Sequence, residues 1–285
     1  MTDAPSPLQD PAIADKIAET RARWDARARI HAADRSGFYR VQAFLDGDDS
    51  LDAVDEGELP PLAGLRIAHL QCHFGLATLR LKRRGAGEIA GLDYSPVAIA
   101  EARALAEKTG DAAAFHEADV YDAADRLGPG RWDLVYVTWG AINWLPDIRR
   151  WAQVCAALLA PGGRLYLRDG HPFCQSLDLV DGELKLLFDW RTPARAPLRW
   201  DEAQSYSGDE DRLPEGADHE WIHPIGDILG GVMAAGLTLE RFEEHEWLVW
   251  DMYPGLGIED DKGRWWLPEG HPRIPQSFTL VARKP

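Results

Sequence analysis

The feature that most constrains the fold of this chain is a pair of short apolar segments joined by a compact turn and a helix. Residues Leu65–Leu70 read LRIAHL, an apolar run typical of a parallel strand that is buried on both faces. Gly75 closes the turn that follows, and a second apolar run, Ile89–Leu92, ends at Asp93. In open α/β sheets, a carboxylate at this place accepts hydrogen bonds from the two hydroxyls of a ribose. The pattern therefore predicts a site for a cofactor that contains a nucleoside.

Helices alternate with strands along most of the remaining chain. Pro96–Thr109 is predicted to be a helix, because Ser95 can cap its first turn and Gly110 follows its last residue. Two more helices are expected at 147–160 and 226–235. Further strands are expected at 112–116, 132–137, 164–168, 237–242 and 278–283. This alternation predicts a doubly wound, mostly parallel α/β sheet with right-handed crossovers.

The composition of the chain limits which partners it can bind and which cell compartment suits it. The chain has 285 residues, of which 45% are hydrophobic, and this is enough for one large core with an inserted lid. Its formal net charge of −16 would repel polyanions, so nucleic acids and anionic membranes are not expected as partners. Its three cysteines form no CxxC pair and cannot all join in disulfides, which favours a reducing cytoplasm. No apolar run approaches the length of a membrane span, so we expect a cytoplasmic protein.

Five segments together resemble the class I S-adenosylmethionine-dependent methyltransferases, and in particular a bacterial group that acts on small molecules. These segments are HLQCHFG at 69–75, GLDYSP at 91–96, EADVYD at 117–122, DLVYVTWGAINWLPD at 133–147 and LLAPGGRLYL at 158–167. The resemblance implies a Rossmann-like sheet of seven strands whose last strand runs antiparallel. It also implies a helical cover over residues 1–50 and a methyltransferase domain over residues 51–285. The cofactor would be S-adenosylmethionine, and its product S-adenosylhomocysteine.

The turn after the first strand departs from the pattern of that family. The family turn usually reads acidic residue, any, Gly, any, Gly, any, Gly, whereas the matching positions here are His69, Gln71, His73 and Gly75. A turn that keeps only the last of these glycines gives the backbone less room to approach a pyrophosphate. This departure argues against a nicotinamide-dependent dehydrogenase. S-adenosylmethionine has no phosphate, so it tolerates bulkier side chains at the turn.

The resemblance also assigns individual residues to the cofactor. Asp93 would hold the ribose hydroxyls, and Asp119 with Val120 would supply a carboxylate and a backbone amide to the adenine. Asp119 could instead serve only to cap a turn. The full set of cofactor-binding residues implied in this way is Trp24, Gln71, His73, Gly75, Asp93, Tyr94, Ser95, Asp119, Val120, Thr138, Trp139 and Gly140.

Residues 171–222 interrupt the alternation of helices and strands. The segment contains several prolines and an acidic turn, and it follows the fifth strand at the carboxyl edge of the sheet, where ligands bind in open α/β folds. A long insertion at such a place is usually functional, so we expect a substrate lid. Side chains predicted near this edge are candidates for the catalytic base, since histidine in particular titrates near neutrality. These candidates are His171, His223, Tyr39 and His31, and for each a purely structural role is the alternative.

The run HEWIH at 219–223 matches the HExxH pattern of zinc hydrolases. That chemistry needs both imidazoles on one face of a helix. Pro224 follows at once, and the residue before a proline is disfavoured in the helical conformation. We therefore expect His223 to end a loop, and we expect no metal at this motif.

Taken together, these patterns predict transfer of a methyl group from S-adenosylmethionine to an oxygen or nitrogen atom of a small-molecule acceptor. The fourth strand is followed by TWGA at 138–141, whereas enzymes that methylate bases or amide side chains usually show Asn or Asp, Pro, Pro and an aromatic residue there. This difference disfavours DNA, RNA and glutamine as acceptors. Two alternatives stay open: an S-adenosylmethionine-binding enzyme of other chemistry, such as decarboxylation or cyclisation, and a cofactor-binding protein without catalysis.

Overall fold

The computed structural model of the protein describes residues 6–51 and 55–285. In chain order its helices are α1 (Pro11–Ala33), α2 (Val41–Leu45), α3 (Asp55–Glu58), α4 (Leu76–Arg83), α5 (Pro96–Thr109), α6 (Ala123–Leu127), α7 (Ile148–Leu158) and α8 (Ile225–Ala234). Its strands are β1 (Arg66–Leu70), β2 (Glu88–Asp93), β3 (Ala114–Glu117), β4 (Trp132–Thr138), β5 (Leu159–Gly170), β6 (Leu177–Val180), β7 (Glu183–Leu186), β8 (Leu198–Trp200), β9 (Asp218–Glu220), β10 (Thr238–His245), β11 (Trp247–Leu248), β12 (Ile258–Glu259), β13 (Trp265–Trp266) and β14 (Ser277–Arg283). Within these described ranges, no helix has an apolar stretch of the length that crossing a bilayer requires.

Seven strands form the central sheet, in the order β10-β14-β5-β4-β1-β2-β3. The pairs among β1 to β5 are parallel, whereas β14 runs antiparallel to both β5 and β10. The predicted Rossmann-like, doubly wound sheet with an antiparallel last strand is therefore confirmed. Several strand boundaries differ from the prediction. β5 is longer because Leu159 already pairs with Trp132, and β3 begins at Ala114 rather than at residue 112.

The helix α5 has the boundaries that its capping residues predicted. The Ser95 side-chain oxygen accepts a hydrogen bond from Ala98 N at 3.0 Å, and Gly110 ends the helix with a φ of 73°. The buried side of α5, which includes Ala102, packs on β2 and β3. The first turn of α5 consequently begins directly after the carboxyl end of β2, where Asp93 lies.

The predicted N-terminal cover contains α1 and α2, while residues 1–5 lie outside the described part of the chain. α1 begins at Pro11, and the carboxylate of Asp10 caps it by accepting a hydrogen bond from Ala12 N at 3.0 Å. The helix packs against α5 on one side and β9 on the other. It therefore connects the central sheet to the inserted segment 171–222.

Two insertions, rather than the one predicted, lie beyond the carboxyl edge of the sheet. The predicted insertion contains two antiparallel pairs, β6 with β7 and β8 with β9. A second insertion lies between β10 and β14, where β11, β13 and β12 form a small antiparallel sheet. Sequence analysis missed this second insertion because strands of two residues carry no periodic signal.

A buried ion cluster fastens α1 to the first insertion. Asp218 of β9 accepts hydrogen bonds from Arg27 Nη2 at 2.6 Å and from Arg23 Nε at 3.1 Å. All three side chains are buried. Next to them, His219 Nε2 lies 2.8 Å from Glu19 Oε2. Buried charges are stable only when they are paired, so α1 and β9 cannot separate without leaving charges unpaired.

Replacing Asp218 with Ala should destabilise the protein strongly, because Arg23 and Arg27 would remain buried without a counter-charge. We expect a loss of about 3–5 kcal/mol in the free energy of unfolding, measured by urea denaturation. The matched control is Asp201→Ala, which removes an exposed pair with Arg199 and should cost about 0–1 kcal/mol. Equal losses in the two variants would contradict the proposed role of the cluster.

Candidate functional site

A cavity of about 1770 Å³ lies at the carboxyl edge of the central sheet. Its walls come from the turn after β1, the ends of β2, β4 and β5, the helix α1 and both insertions. Ligand pockets for one drug-sized molecule usually measure about 300–1,000 Å³. The cavity is therefore large enough to hold a cofactor and a second molecule side by side.

The turn after β1 keeps a left-handed backbone at all three positions where the family that the sequence resembles usually has glycine. The φ angles are 52° at Gln71, 54° at His73 and 79° at Gly75. For residues other than glycine this conformation costs about 1–2 kcal/mol. Gln71 and His73 both line the cavity. The turn thus has the left-handed backbone that glycine adopts most readily, while two polar side chains stand at the cavity wall.

Gly75 and Ser95 were both predicted to bind the cofactor, yet neither lines the cavity. A Cβ on Gly75 would lie 2.7 Å from the Cβ of Ala102 and 2.7 Å from the ring of Phe115, so this glycine is needed for close packing of the turn. Ser95 is fully buried and caps α5. Gly75 therefore fixes the turn and Ser95 the helix behind it, and their contact with the cofactor stays a prediction.

Asp93 stands at the end of β2, buried beneath the turn. Its Oδ2 accepts a hydrogen bond from His73 N at 2.9 Å, and its Oδ1 accepts one from Ser95 N at 2.9 Å. Burial raises the pKa of Asp93 to about 6, although both backbone hydrogen bonds act in the opposite direction. Each carboxylate oxygen can accept a further hydrogen bond, and the residue lines the cavity.

Asp119 and Val120 line the same cavity one strand further along. Asp119 Oδ1 accepts a hydrogen bond from Tyr121 N at 2.9 Å and so caps a short 3-10 helix, Val120–Asp122. Burial raises the pKa of Asp119. The capping role considered from the sequence is therefore present, and it leaves the side chain at the cavity wall. Tyr94 completes this side, with the guanidinium carbon of Arg21 5.8 Å from its ring centre.

The loop after β4 is organised by a residue that sequence analysis missed, Asp169. This buried carboxylate at the end of β5 accepts hydrogen bonds from the backbone N–H groups of Ala141 at 2.9 Å and Ile142 at 3.1 Å. It also accepts one from Gly140 N. The predicted residues Thr138, Trp139 and Gly140 line the cavity just before this anchor. An acid at the carboxyl end of a buried strand was the available signal.

Two of the predicted bases, His31 and Tyr39, meet in a polar cluster, in which Tyr39 lines the cavity whereas the fully buried His31 does not. His31 Nδ1 lies 3.1 Å from His73 Nε2 and 3.1 Å from the Tyr39 hydroxyl. His31 Nε2 lies 2.6 Å from Ser205 Oγ. The Tyr39 hydroxyl lies 2.7 Å from the hydroxyl of Tyr206. The cluster joins the cover, the turn and the first insertion.

Both imidazoles in this cluster are held neutral by their surroundings. Burial lowers the pKa of His31 to about 3, and the nearby charge of Arg27 lowers it further, while Asp209 acts in the opposite direction. Burial lowers the pKa of His73 well below its usual value, and the neighbouring rings of His31 and His69 lower it further. Neutral imidazoles keep one nitrogen lone pair each, so each ring can accept a hydrogen bond, and the lowered pKa makes both rings weak proton acceptors.

The indole of Trp24 covers the turn from the side of α1. Its ring centre lies 5.2 Å from that of His73 and 5.3 Å from that of Trp144. All three rings line the cavity. Tilted contacts among these three rings therefore join α1 to the turn at one end of the cavity.

The other two predicted bases, His171 and His223, line the cavity elsewhere and already have partners. His171 Nε2 lies 2.9 Å from Glu244 Oε1, and its Nδ1 accepts a hydrogen bond from Phe173 N at 3.1 Å. His223 Nε2 donates to the carbonyl oxygen of Leu145 at 2.6 Å. Burial lowers the pKa of both histidines. These contacts fix the two rings in the wall, apart from the cluster around His31.

The HEWIH run is not helical. Its first residues belong to β9, and His223 lies in the loop before α8, as Pro224 predicted. His219 is paired with Glu19 of α1, whereas His223 is bonded to a carbonyl of the loop after β4. The two imidazoles thus have different neighbours instead of sharing one helical face.

We predict that the HEWIH run holds no catalytic zinc in protein prepared without a histidine tag, because this non-helical run lacks the i, i+4 geometry that two ligating histidines need. Elemental analysis by mass spectrometry measures this directly. The prediction would be wrong if zinc copurified at one equivalent and disappeared in a His219→Ala variant.

The family model described as a methyltransferase domain matches residues 68–165, which run from β1 into β5. A solved structure with a similar fold is an S-adenosylmethionine-dependent methyltransferase from Mesorhizobium loti. It superposes with a TM-score of 0.56, covers 84% of this chain and 100% of its own, and is 20% identical in sequence. At this identity the likeness concerns the fold alone.

Two curated relatives match part of the chain. Magnesium-protoporphyrin O-methyltransferase from Rhodobacter capsulatus is 35% identical over 129 residues, which are 44% of this chain and 55% of that protein. Ubiquinone biosynthesis O-methyltransferase from Xanthomonas euvesicatoria pv. vesicatoria (strain 85-10) is 31% identical over 106 residues, 37% of this chain and 43% of that protein. The chain thus spans about half the length of the curated relatives it matches.

Proposed function

We propose that this chain, whose residues 68–165 match a methyltransferase-domain model, is a class I S-adenosylmethionine-dependent methyltransferase that transfers a methyl group to an oxygen or nitrogen atom of a small molecule. The observation that carries the proposal is the shared cavity of Asp93 and Asp119 with the turn after β1. In open α/β folds this edge of the sheet is where a nucleoside cofactor binds. The two relatives are named as O-methyltransferases, which favours oxygen as the acceptor atom.

Two features of the turn support S-adenosylmethionine as the group held there. Gln71 Oε1 is buried and has no hydrogen-bond partner among the described residues, and such an acceptor calls for a donor. The ammonium group of the cofactor's methionine part would supply that donor. Asp93 keeps one free acceptor position on each oxygen, which suits the paired hydroxyls of a ribose. Tyr94, Asp119 and Val120 would border the adenine.

The acceptor would occupy the part of the cavity that the insertions enclose. Its walls there are aromatic and include Trp144, Trp221 and Trp250. Trp250 meets Trp139 edge to face, with ring centres 5.7 Å apart. Aromatic walls of this kind bind flat or apolar molecules and exclude water. We therefore propose a small organic acceptor with an apolar or aromatic body.

When bound, S-adenosylmethionine supplies an electrophilic methyl group. The contribution of the protein is to hold the acceptor atom in line with that group and to keep water out. Correct alignment of two reactants can lower the barrier by about 7–11 kcal/mol. The aromatic lining and the closed contact between α1 and β9 serve this purpose.

The charge and the cysteines of the chain bear on its partners and its cell compartment. A net charge of −16 argues against a nucleic-acid acceptor, and three buried thiols without a disulfide suit a reducing cytoplasm. We propose a cytoplasmic enzyme whose partner is the small-molecule acceptor.

The first test is cofactor binding, measured by titration calorimetry. The protein should bind both S-adenosylmethionine and S-adenosylhomocysteine, and Asp93→Ala should weaken binding by about 1.5–3 kcal/mol, the usual value for hydrogen bonds to a charged group. Asp125→Ala, an exposed carboxylate on α6 away from the cavity, is the control and should bind normally. Absence of binding to the unmodified protein would refute the proposed function.

The second test separates the acceptor side from the donor side. His171→Ala and His223→Ala should slow methyl transfer while leaving cofactor affinity within about 1 kcal/mol, because contacts made only with the acceptor do not appear in cofactor binding. His116→Ala, on β3 outside the cavity, serves as control. The acceptor itself is identified by incubating the protein with labelled cofactor and cell metabolites. Mass spectrometry then shows which metabolite has gained the mass of a methyl group. If the variants lost cofactor binding but kept normal turnover at saturating cofactor, both histidines would contact the cofactor and not the acceptor.

A further inference from the structure

The carboxyl group of Glu220 lies on the part of the cavity wall that the first insertion forms. Glu220 is the last residue of β9 and is partly buried. Its Oε2 accepts a hydrogen bond from Trp200 Nε1 at 3.1 Å, and Trp200 is the only donor to this carboxyl group among the described residues. Because a carboxylate can accept about four hydrogen bonds, most of its capacity is left for a ligand.

The strand β9 divides its side chains between α1 and the cavity. His219 pairs with Glu19 of α1, whereas Asp218 and Glu220 line the cavity, as the alternation of side chains along a strand requires. Arg27 donates to both oxygens of Asp218, at 2.8 Å and 2.6 Å. Glu220 is therefore the carboxyl group of β9 that remains available to a ligand.

The amide of Asn143 is a second polar group near the end of β9. The Asn143 carbonyl oxygen accepts a hydrogen bond from Trp221 N at 2.7 Å, which holds the short 3-10 helix Ile142–Trp144 against this strand. Asn143 lines the cavity, and its buried Oδ1 has no hydrogen-bond donor among the described residues. A buried acceptor of this kind calls for a donor. The wall thus offers a carboxyl group and an amide oxygen to the donor group of a ligand.

Three indole rings belong to the same part of the wall. Trp200 is bonded to Glu220, Trp221 follows Glu220 in the chain, and Trp144 follows Asn143. All three tryptophans line the cavity. The face of an indole ring attracts a cation, and aromatic walls are common in sites for ammonium ligands.

The charges near Glu220 favour a cation over an anion. Burial raises the pKa of Glu220 to about 7, and the charges of Asp218 and Glu202 raise it further, while the accepted hydrogen bond and Arg27 lower it. Arg27 and Arg23 are already paired with Asp218. A bound ammonium group would stabilise the ionised form of Glu220, whereas an anion would be repelled by Glu220 and Glu202.

We propose that Glu220 and Asn143 anchor a protonated amine of the acceptor, so that the enzyme selects molecules with an aromatic body and a basic nitrogen. The inference rests on the proposed methyl transfer and adds the chemical class of the acceptor. A protonated nitrogen has no lone pair with which to attack a methyl group. The anchored amine is therefore a recognition group, and the methylated atom lies elsewhere on the molecule. An oxygen atom on the aromatic body fits this arrangement.

The first experiment uses probe ligands and the protein loaded with S-adenosylhomocysteine. Two aromatic bodies are each tested with three head groups by calorimetry: phenethylamine, phenethyl alcohol and phenylacetate, and then tryptamine, tryptophol and indoleacetate. The amines should bind most tightly and the acetates most weakly. Glu220→Gln keeps an acceptor for Trp200 but removes the charge. It should weaken amine binding by about 10–150-fold, the usual effect of a hydrogen bond to a charged group.

Three results of this experiment would overturn the proposal: equal affinities for the three head groups, no binding of either amine, or an amine preference that persists in Glu220→Gln. Failure to bind S-adenosylhomocysteine would instead refute the proposed function. The same probes titrated into the free protein would then still report on the amine site.

Two further variants complete the design. Glu183→Gln is the matched control, because Glu183 is an exposed carboxylate of the same insertion outside the cavity, and it should leave all probe affinities unchanged. Asn143→Ala removes the second oxygen and leaves Glu220 in place, so it should weaken amine binding by a smaller factor than Glu220→Gln. An unchanged amine affinity in Asn143→Ala or in Glu220→Gln would contradict the proposed pair.

The unmodified protein gives an independent readout through pH. Because the amine binds the ionised form of Glu220, amine affinity should fall as the pH is lowered through about 7, while alcohol affinity should not. A primary amine stays protonated between about pH 6 and pH 8, since its usual pKa is near 10. An amine affinity that does not change with pH, or a change that persists in Glu220→Gln, would contradict the anchor.

The last experiment uses the acceptor found by metabolite screening. Glu220→Gln should raise the KM for this acceptor by a factor similar to that for the amine probes. Its kcat and its affinity for S-adenosylmethionine should change little, because an anchor away from the reacting atom binds the ground state and the transition state alike. An acceptor without a basic nitrogen, or one that is methylated on the anchored nitrogen, would overturn the proposal.

Discussion

The hydrogen bond from His73 N to the buried carboxylate of Asp93 is the contact on which the site depends. It joins the turn after β1 to the end of β2, and Asp93 in turn fixes the start of α5 through Ser95 N. It also supports the left-handed backbone at Gln71 and His73, a conformation that persists only where the surroundings impose it. The same bond therefore places the carboxylate of Asp93, which we propose binds the ribose, and two cavity-lining side chains.

A second constraint closes the cavity over this turn. Asp218 is buried between Arg23 and Arg27, and breaking such a cluster leaves unpaired charge inside the protein. The cluster keeps the first insertion against α1, so that Tyr39 meets Tyr206. The buried ion cluster at one end of the insertion thus helps to hold the polar cluster around His31 at the other end. His219 of the HEWIH run adds to this contact between the insertion and α1, because it pairs with Glu19 of α1.

Much of the fold followed from local sequence. The capping of α5 by Ser95 and the acid at the end of β2 are signals carried by a few adjacent residues, and both are confirmed in the structure. Pro224 likewise identified the HExxH run as non-helical. Gly75 was assigned to the cofactor, yet it packs against Ala102 and Phe115. A motif position indicates that a glycine is needed, and only packing shows which neighbour requires it.

The sequence by itself determined the alternation of strands and helices, the turn after β1 and the position of Asp93, because each depends on residues close together in the chain. Tertiary structure alone decided the second insertion and the meeting of His31, His73 and Tyr206. Those residues are far apart in sequence, and their contacts depend on how α1 and the first insertion pack over the sheet. Side chains brought together by packing leave no periodic trace, whereas a strand, a cap or a turn does.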